Sequence, residues 1–556
     1  MSRDRAGDVS RRDAVRTMAG MVAAPALIGL ARKGHVIAGG FVDDGGAAGH
    51  RVRDAQLSTR SGTTRRTRVA IVGGGIGGLS AGWRLDALGM HDGVLLELDA
   101  NTGGNTRSAH YRGLGDRRAP WGAHYLPIPD ADATHVRTLM RELGVLQADG
   151  TWDERALCHA PQERIWQHGR WHEGLDPLDA ATSRTRDEFA QFSARIGEWR
   201  ESGMFRVPSA AGHARRRNLS AGTSADRALV HRAQMLDGMT AREWMSREGW
   251  QSEALRWWVE YGTRDDYGAS LSQASAWAAV HYFASRPAED DGPLTWPEGN
   301  DWIARQLAMR LRRRSAADGG ARVVTGAPVF RLESRGAAQW RVHAPDLRVD
   351  ADVVIWAAPS FVLPRVLPSM NAAPAVQATQ HAPWVVANLV LDGPPRDAGT
   401  PAWRNSGTAP AWDNVLFGSN SLGYVNAGHQ LLQQRPAQPI WTWYHALVDG
   451  EARDARRAML QQPWSHWRDV VVADLSRAHP DIAQRLVRVD VMRWGHAMAR
   501  PVPGVLARRD AMTGWQPASR VHLAHADVSG FSLFEEAQWQ GVQAAEAAAR
   551  DLGGDR

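Results

Sequence analysis

Arg68–Leu85 reads RVAIVGGGIGGLSAGWRL; VLLE (Val94–Glu97) and LDANTGGNTRS (Leu98–Ser108) follow it, and together these segments decide the fold. Val69–Val72 is apolar at every position, as a parallel strand covered on both faces requires. Gly73, Gly75 and Gly78 stand at the three positions of the dinucleotide fingerprint, serving a tight turn, close backbone approach to a pyrophosphate, and close packing of helix on strand. The helix they open presents its N-terminal N–H groups to a diphosphate. A second apolar strand ends in Glu97, at the spacing expected of a ribose-binding carboxylate. Strand, glycines, helix, strand and acid fall in order, which a glycine-rich turn without a nucleotide does not explain.

The glycine pair Gly103-Gly104, just past Glu97, separates FAD from NAD. The segment resembles the flavoprotein superfamily of amine oxidases, phytoene desaturases and protoporphyrinogen oxidases, in which Gly-Gly-Arg runs along the FAD diphosphate. Here Asn105 occupies the third position and the arginine comes at Arg107. Three further segments carry the resemblance. In APWGAHYLPIP (Ala119–Pro129), it implies that Gly122, Ala123 and His124 pass close to the flavin ring. In RVVTGAPVFRLE (Arg322–Glu333), it implies that Val329 meets the adenine through its backbone. In RVHLAHADVSGFSLFEEAQWQG (Arg520–Gly541), it implies that Asp527 binds the ribityl-diphosphate region and that the next helix aims its N-terminus at the flavin, where a positive helix end stabilises negative charge. With no cysteine near this last segment, the FAD is expected to be non-covalent.

The first residues carry a separate signal. Arg11-Arg12 precedes a stretch of fifteen mostly apolar or small residues, Thr17–Ala31, and then Arg32-Lys33. That stretch is short for a membrane span and has the size of a signal-peptide core. Paired arginines ahead of it match the twin-arginine signal, so the export machinery is an expected partner and the periplasm, or another exported location, the expected site. The alternative is a basic tail before a buried helix.

Charge agrees with this division. Residues 1–66 hold 12 Lys+Arg against 6 Asp+Glu, which accounts for the whole formal charge of +6. The body is balanced and gives no reason to expect nucleic-acid binding. A single cysteine, Cys158, excludes an internal disulfide and a cysteine metal cluster, and no metal is expected. Lys33 is the only lysine, so the body contains none of the lysines that hold a water beside the flavin in many enzymes of the resembled family.

The expected fold class is α/β: a discontinuous Rossmann-like FAD-binding domain with an inserted α+β substrate domain. The divisions are a signal peptide at 1–33, a flexible linker at 34–66, FAD-binding pieces at 67–130, 295–370 and 490–553, and a substrate domain at 131–294 and 371–489. PEGNDWIARQLAMRLRRR (Pro297–Arg314) predicts a helix from Ile303, Leu307 and Leu311, and strands are predicted at 384–392 and 439–446. No transmembrane run is visible. The triplet Arg215-Arg216-Arg217 reads as a solvated face. Tyr261–Arg286 gathers Arg264, Asp265, Asp266, Tyr267, His281 and Tyr282, as a pocket wall or as caps and packing.

The resemblance implies an FAD-dependent oxidoreductase that takes hydride from a small organic substrate to flavin N5, and the leader adds the expectation that it is exported. Without a lysine, histidine is the natural proton-transfer group near neutral pH, and His281, His124 and His496 are the candidates. Two alternatives stand beside this reading: a desaturase or isomerase of an apolar substrate, and a non-catalytic flavin-binding envelope protein.

Overall fold

The computed structural model describes residues 36–42, 46–58, 62–286, 292–315, 321–336, 339–374, 379–399, 411–431 and 437–553. The expected signal peptide, with Arg11 and Arg12, lies outside the described residues. Two sheets dominate. The first is mainly parallel, in the order Val323–Val324, Gly93–Leu96, Thr63–Val72, Leu347–Trp356, and continues through the antiparallel strands Trp340–Ala344 and Arg331–Ser334; Val521–Leu523 also pairs, parallel, with Leu347–Trp356. Burial explains its pattern. The first half of Thr63–Val72 is largely exposed and polar, while Val69–Val72 is fully buried between two layers.

On one face lie the helices Ile76–Ala87 and Phe534–Asp551, packed with Leu307 and Leu311 of the helix Asp301–Ser315. The first two approach closely: a Cβ on Gly541 would stand 2.2 Å from the Gly77 carbonyl oxygen. The opposite face is covered by Trp340, Leu363 and Val366, together with Val52 and Leu57.

The second sheet has eight strands, in the order Ala38–Phe41, Leu486–Arg500, Gln380–Leu391, Ile440–Ala446, Tyr424–Asn426, Asp413–Leu416, Glu163–Gln167, Arg170–Glu173. Gln380–Leu391 is buried almost throughout because both its faces are covered. Trp467, Val471 and Leu475 cover one face, and Trp384, Val386 and Trp494 pack together on the other. Helices between Ser183 and Ala284 form a separate core around Phe192, Trp199, Phe205 and Trp277.

Three expected boundaries are corrected. Within the stretch read as a flexible linker, Ala38–Phe41 is an edge strand in parallel register with Arg488–Val491, and Gly46–Arg53 is a helix whose Val52 joins the parallel-sheet core. Its low periodicity concealed this, because a four-residue edge strand needs only backbone pairing. Thr134–Glu142, assigned to the substrate domain, packs Val136, Leu139 and Met140 into the core under the parallel sheet. Leu486–Arg500 runs wholly in the eight-stranded sheet, so residues 490–500 belong there and not to the cofactor domain. Arg216 is also buried, bonded to Asp510 at 2.7 Å, rather than on a solvated face.

Candidate active site

At the tip of Thr63–Val72 the chain turns through Gly73, whose φ of +108° is left-handed and whose absent Cβ would lie 2.8 Å from the Ala357 carbonyl carbon. A Cβ on Gly78 would stand 1.9 Å from the Gly73 oxygen, so this position holds helix against strand. Gly75 differs. Its φ is −74° and a Cβ there would meet nothing within 4 Å, so open space faces the helix N-terminus. That is where a diphosphate would lie.

Gly103 (φ +120°) donates its N–H to the Gly74 carbonyl at 2.8 Å, and Gly104 (φ +57°) lies against Gly75, which brings the two glycine runs together. Glu97 is buried; one carboxylate oxygen accepts the Gly74 N–H at 2.5 Å and the other the Asp99 N–H at 2.8 Å. Burial raises its pKa, against the pull of those two N–H groups. Arg107 bonds the Gly104 carbonyl and pairs with Asp99 at 2.9 Å, so it braces the turn. Val329 is buried two residues past Ala327, whose N–H donates to the Glu97 carbonyl at 2.8 Å.

Asp527 is engaged within the protein. It accepts the Ser360 N–H at 2.9 Å and hydroxyl at 2.8 Å, and pairs with His381 at 2.9 Å. Burial opposes its ionisation, but His525 and His381 outweigh that and hold the carboxyl well below its usual range.

Beyond the glycines lies a cavity with about 1340 Å³ of space free of protein atoms, its open mouth included. Gly122, Ala123 and His124 form part of its wall. Gly122 is required there, since a Cβ would stand 2.1 Å from the Asn105 oxygen. The His124 ring packs on Tyr444 at 4.7 Å and Trp412 at 5.5 Å, and burial pushes its pKa down to about 4. Trp384, Val386, Leu422 and Val425 add apolar lining, and Leu533–Glu535, at the start of the last helix, also line it.

Carboxyl groups set the electrostatics. Asp265 accepts the Tyr125 hydroxyl at 3.0 Å, and Asp413 the Tyr261 hydroxyl at 3.2 Å. Burial, reinforced by Asp266, pushes Asp265 up to about 7; burial, with Glu163 and Asp265, puts Asp413 well above the carboxylate range. Asp266 is bound by Arg286 at 2.8 and 2.9 Å, and Asp130 by Arg206 at 2.6 Å. Arg286 is the cation of the lining, and Asp266 already takes its charge.

The three histidine candidates are separated. His124 lines the cavity; His281 and His496 do not. His281 is 1% exposed, donates through Nε2 to the Arg206 carbonyl at 3.1 Å, accepts the Tyr267 hydroxyl at Nδ1 at 3.1 Å, and stacks on Phe531. Burial takes its pKa down to about 4, so it is a neutral packing residue. His496 stacks on Phe361 at 4.4 Å, beside His381. Sequence reasoning grouped Asp265 and Asp266 but missed Asp413, Tyr444 and Glu535. Tyr444 sits on a strand that read only as β, Asp413 on a short strand that was not read at all, and the only local signal for Glu535 was a pair of glutamates opening an otherwise apolar-faced helix. Among the described residues no group of three or more His, Cys, Asp and Glu is disposed to hold a metal, and no helix is long and apolar enough to cross a membrane.

Residues 71–143 match the NAD(P)-binding Rossmann-like domain family. No curated protein matches the chain in sequence. Solved structures do match in fold. A putrescine oxidase bound to putrescine is 16% identical, covering 87% of this chain and 99% of its own, with a TM-score of 0.61. Cyclohexylamine oxidase from Brevibacterium oxydans is 16% identical over 88% of this chain and 99% of its own, with a TM-score of 0.59. A fatty acid isomerase from P. acnes is 14% identical over 87% of this chain and 98% of its own, with a TM-score of 0.54. The fold is therefore a Rossmann-like domain joined to a second, mixed-sheet domain, as these structures have it.

Proposed function

We propose that the chain is an exported, FAD-dependent oxidoreductase that oxidises an amine bound as its cation. One observation carries the substrate class: the cavity encloses Asp265 and Asp413, each fixed by a tyrosine hydroxyl, and among the described residues the cation of the lining, Arg286, is already paired with Asp266. Burial keeps these carboxyls protonated until a cation comes beside them, and an ammonium group is such a cation. FAD suits the residues present, because Gly75 leaves space open at the helix N-terminus, Glu97 is a buried acid at the end of the next strand, where a ribose would meet it, and Gly103-Gly104 packs against Gly74-Gly75. When bound, the flavin supplies the two-electron oxidation.

The chain's own residues do the rest. Asp265 and Asp413 attract and orient the cation, Tyr125 and Tyr261 hold those carboxylates in place, and Trp384, Leu422 and Val425 exclude water from the apolar part of the substrate. Two of the solved structures of this fold are a putrescine oxidase and a cyclohexylamine oxidase, in keeping with the reading. The apolar side of the cavity and the fatty acid isomerase favour the second reading, an apolar substrate. Anaerobic mixing of the purified yellow protein with primary amines, α,ω-diamines, amino acids and polyprenoids separates the possibilities. Amines are expected to bleach the flavin. Bleaching by polyprenoids alone moves the assignment to the second reading, and bleaching by none removes catalysis.

Export rests on Arg11-Arg12 and the short apolar stretch behind it. Residues 1–45 fused to a folded reporter are expected to carry it out of the cytoplasm, and Arg11→Lys with Arg12→Lys to keep it inside. The leader's charge is unchanged by that pair, so normal export of the double variant would refute the twin-arginine reading.

A further inference from the structure

One cavity carboxylate has no part in the site described so far. Glu535 is 5% exposed, lines the cavity at the first turn of Phe534–Asp551 and, among the described residues, is hydrogen-bonded only to its own backbone N–H. Every other acid of the lining is engaged: Asp265 and Asp413 by tyrosines, Asp266 and Asp130 by arginines. A buried carboxylate whose only donor is its own backbone N–H has little besides the positive helix end to offset its burial, which is costly without a partner from another residue. The charged groups that face it are Asp266 and Arg286 from the neighbouring helical layer and Glu536 from its own helix.

We propose that Glu535 is the base that takes a proton from the substrate ammonium inside the cavity. The proposal rests on the amine reading above. An ammonium nitrogen has no lone pair, so oxidation at the adjacent carbon requires the neutral amine. In the step one N–H bond breaks, its electron pair stays on nitrogen, and an O–H bond forms on Glu535; the proton passes to solvent when product leaves. The alternatives fit less well. Asp265 and Asp413 each spend an oxygen on a tyrosine hydroxyl, and His124, pushed down to about 4, is a weak acceptor. Burial brings Glu535 up to about 7, close to the operating range that general-base catalysis favours; Asp265 shares that value, so its tyrosine bond and its role as anchor of the cation decide between the two.

The test uses the FAD-loaded protein, anaerobic, mixed with whichever primary amine or α,ω-diamine bleaches it fastest. At saturating amine the limiting rate of flavin reduction is expected to fall roughly 10²- to 10⁴-fold in Glu535→Gln, while FAD content and amine affinity change little. The wild-type limiting rate should decline as the pH drops below about 7, since only the ionised carboxylate accepts a proton, and that limb should vanish in Glu535→Gln. Added acetate should restore part of the rate to Glu535→Ala, which a packing role would not allow. Glu535→Asp should keep the pH limb at a lower rate and serves if the glutamine variant does not fold. An unchanged limiting rate in Glu535→Gln, or a lost rate with the pH limb intact and no acetate rescue, overturns the proposal. Reduction by no amine at all in the wild type overturns the amine reading and this one with it.

Discussion

Gly75→Val is expected to give a folded but colourless protein. Gly75 has φ −74°, an ordinary backbone conformation, and a Cβ there meets no protein atom within 4 Å, so the substitution brings no backbone strain and its Cβ no clash with the chain itself. What it fills is the space at the head of the helix Ile76–Ala87, where backbone and diphosphate must touch. Circular dichroism and thermal transition should stay close to those of wild-type protein stripped of FAD, while the FAD released on denaturation falls to near zero. Gly78→Ala is the contrasting case. Its methyl group would stand 1.9 Å from the Gly73 oxygen, so helix and strand must part, and an overpacking loss of ~1–3 kcal/mol or more is expected with or without cofactor. Full FAD occupancy in Gly75→Val would remove the cofactor assignment. Equal losses of fold in both variants would show that the space at Gly75 is structural.

The second large effect is expected at Asp265. Asp265→Asn keeps the shape of the side chain but removes the charge facing a bound cation, and deleting one partner of a buried charge pair costs ~2–5 kcal/mol, so kcat/KM for the best amine should fall roughly 10²- to 10³-fold. The sign with pH follows from the raised carboxyl. Asp265 is pushed up to about 7 by burial and Asp266, so the cation meets a neutral acid below that pH, and KM for the amine should rise as the pH falls. In Asp265→Asn that rise should be reduced. His281→Ala is the matched control, since His281 lies outside the cavity with both ring nitrogens bonded within the protein. It should lower the thermal transition and leave the rate of flavin reduction in the folded fraction unchanged. An Asp265→Asn protein with normal kcat/KM would remove the carboxylate from substrate binding.

The cofactor end of the molecule was legible from the chain because its constraints are local. A strand, a turn that only glycine can make, a helix start and an acid one strand later lie within Arg68–Ser108, and each acts over a few residues. The glycine spacing identified in advance which position is tight, Gly78, and which is open, Gly75. The same locality failed for the edge strand Ala38–Phe41, which is defined only by its pairing to Arg488–Val491 far along the chain.

The substrate end was decided by tertiary structure. Asp413 and Tyr261 are 152 positions apart, and Tyr125 and Asp265 are 140 apart, yet they form the two anchors of the cavity. His281, within the stretch read as a pocket wall or as packing, lies outside the cavity because the helix Ala276–Ala284 buries it against Phe531. Which side of a helix faces a cavity, and which acid is left without a donor from another residue, depends on what packs against it from elsewhere in the chain. Sequence alone determined that this protein carries a dinucleotide-binding Rossmann unit; the packing of the second sheet on that unit decided where the charges meet.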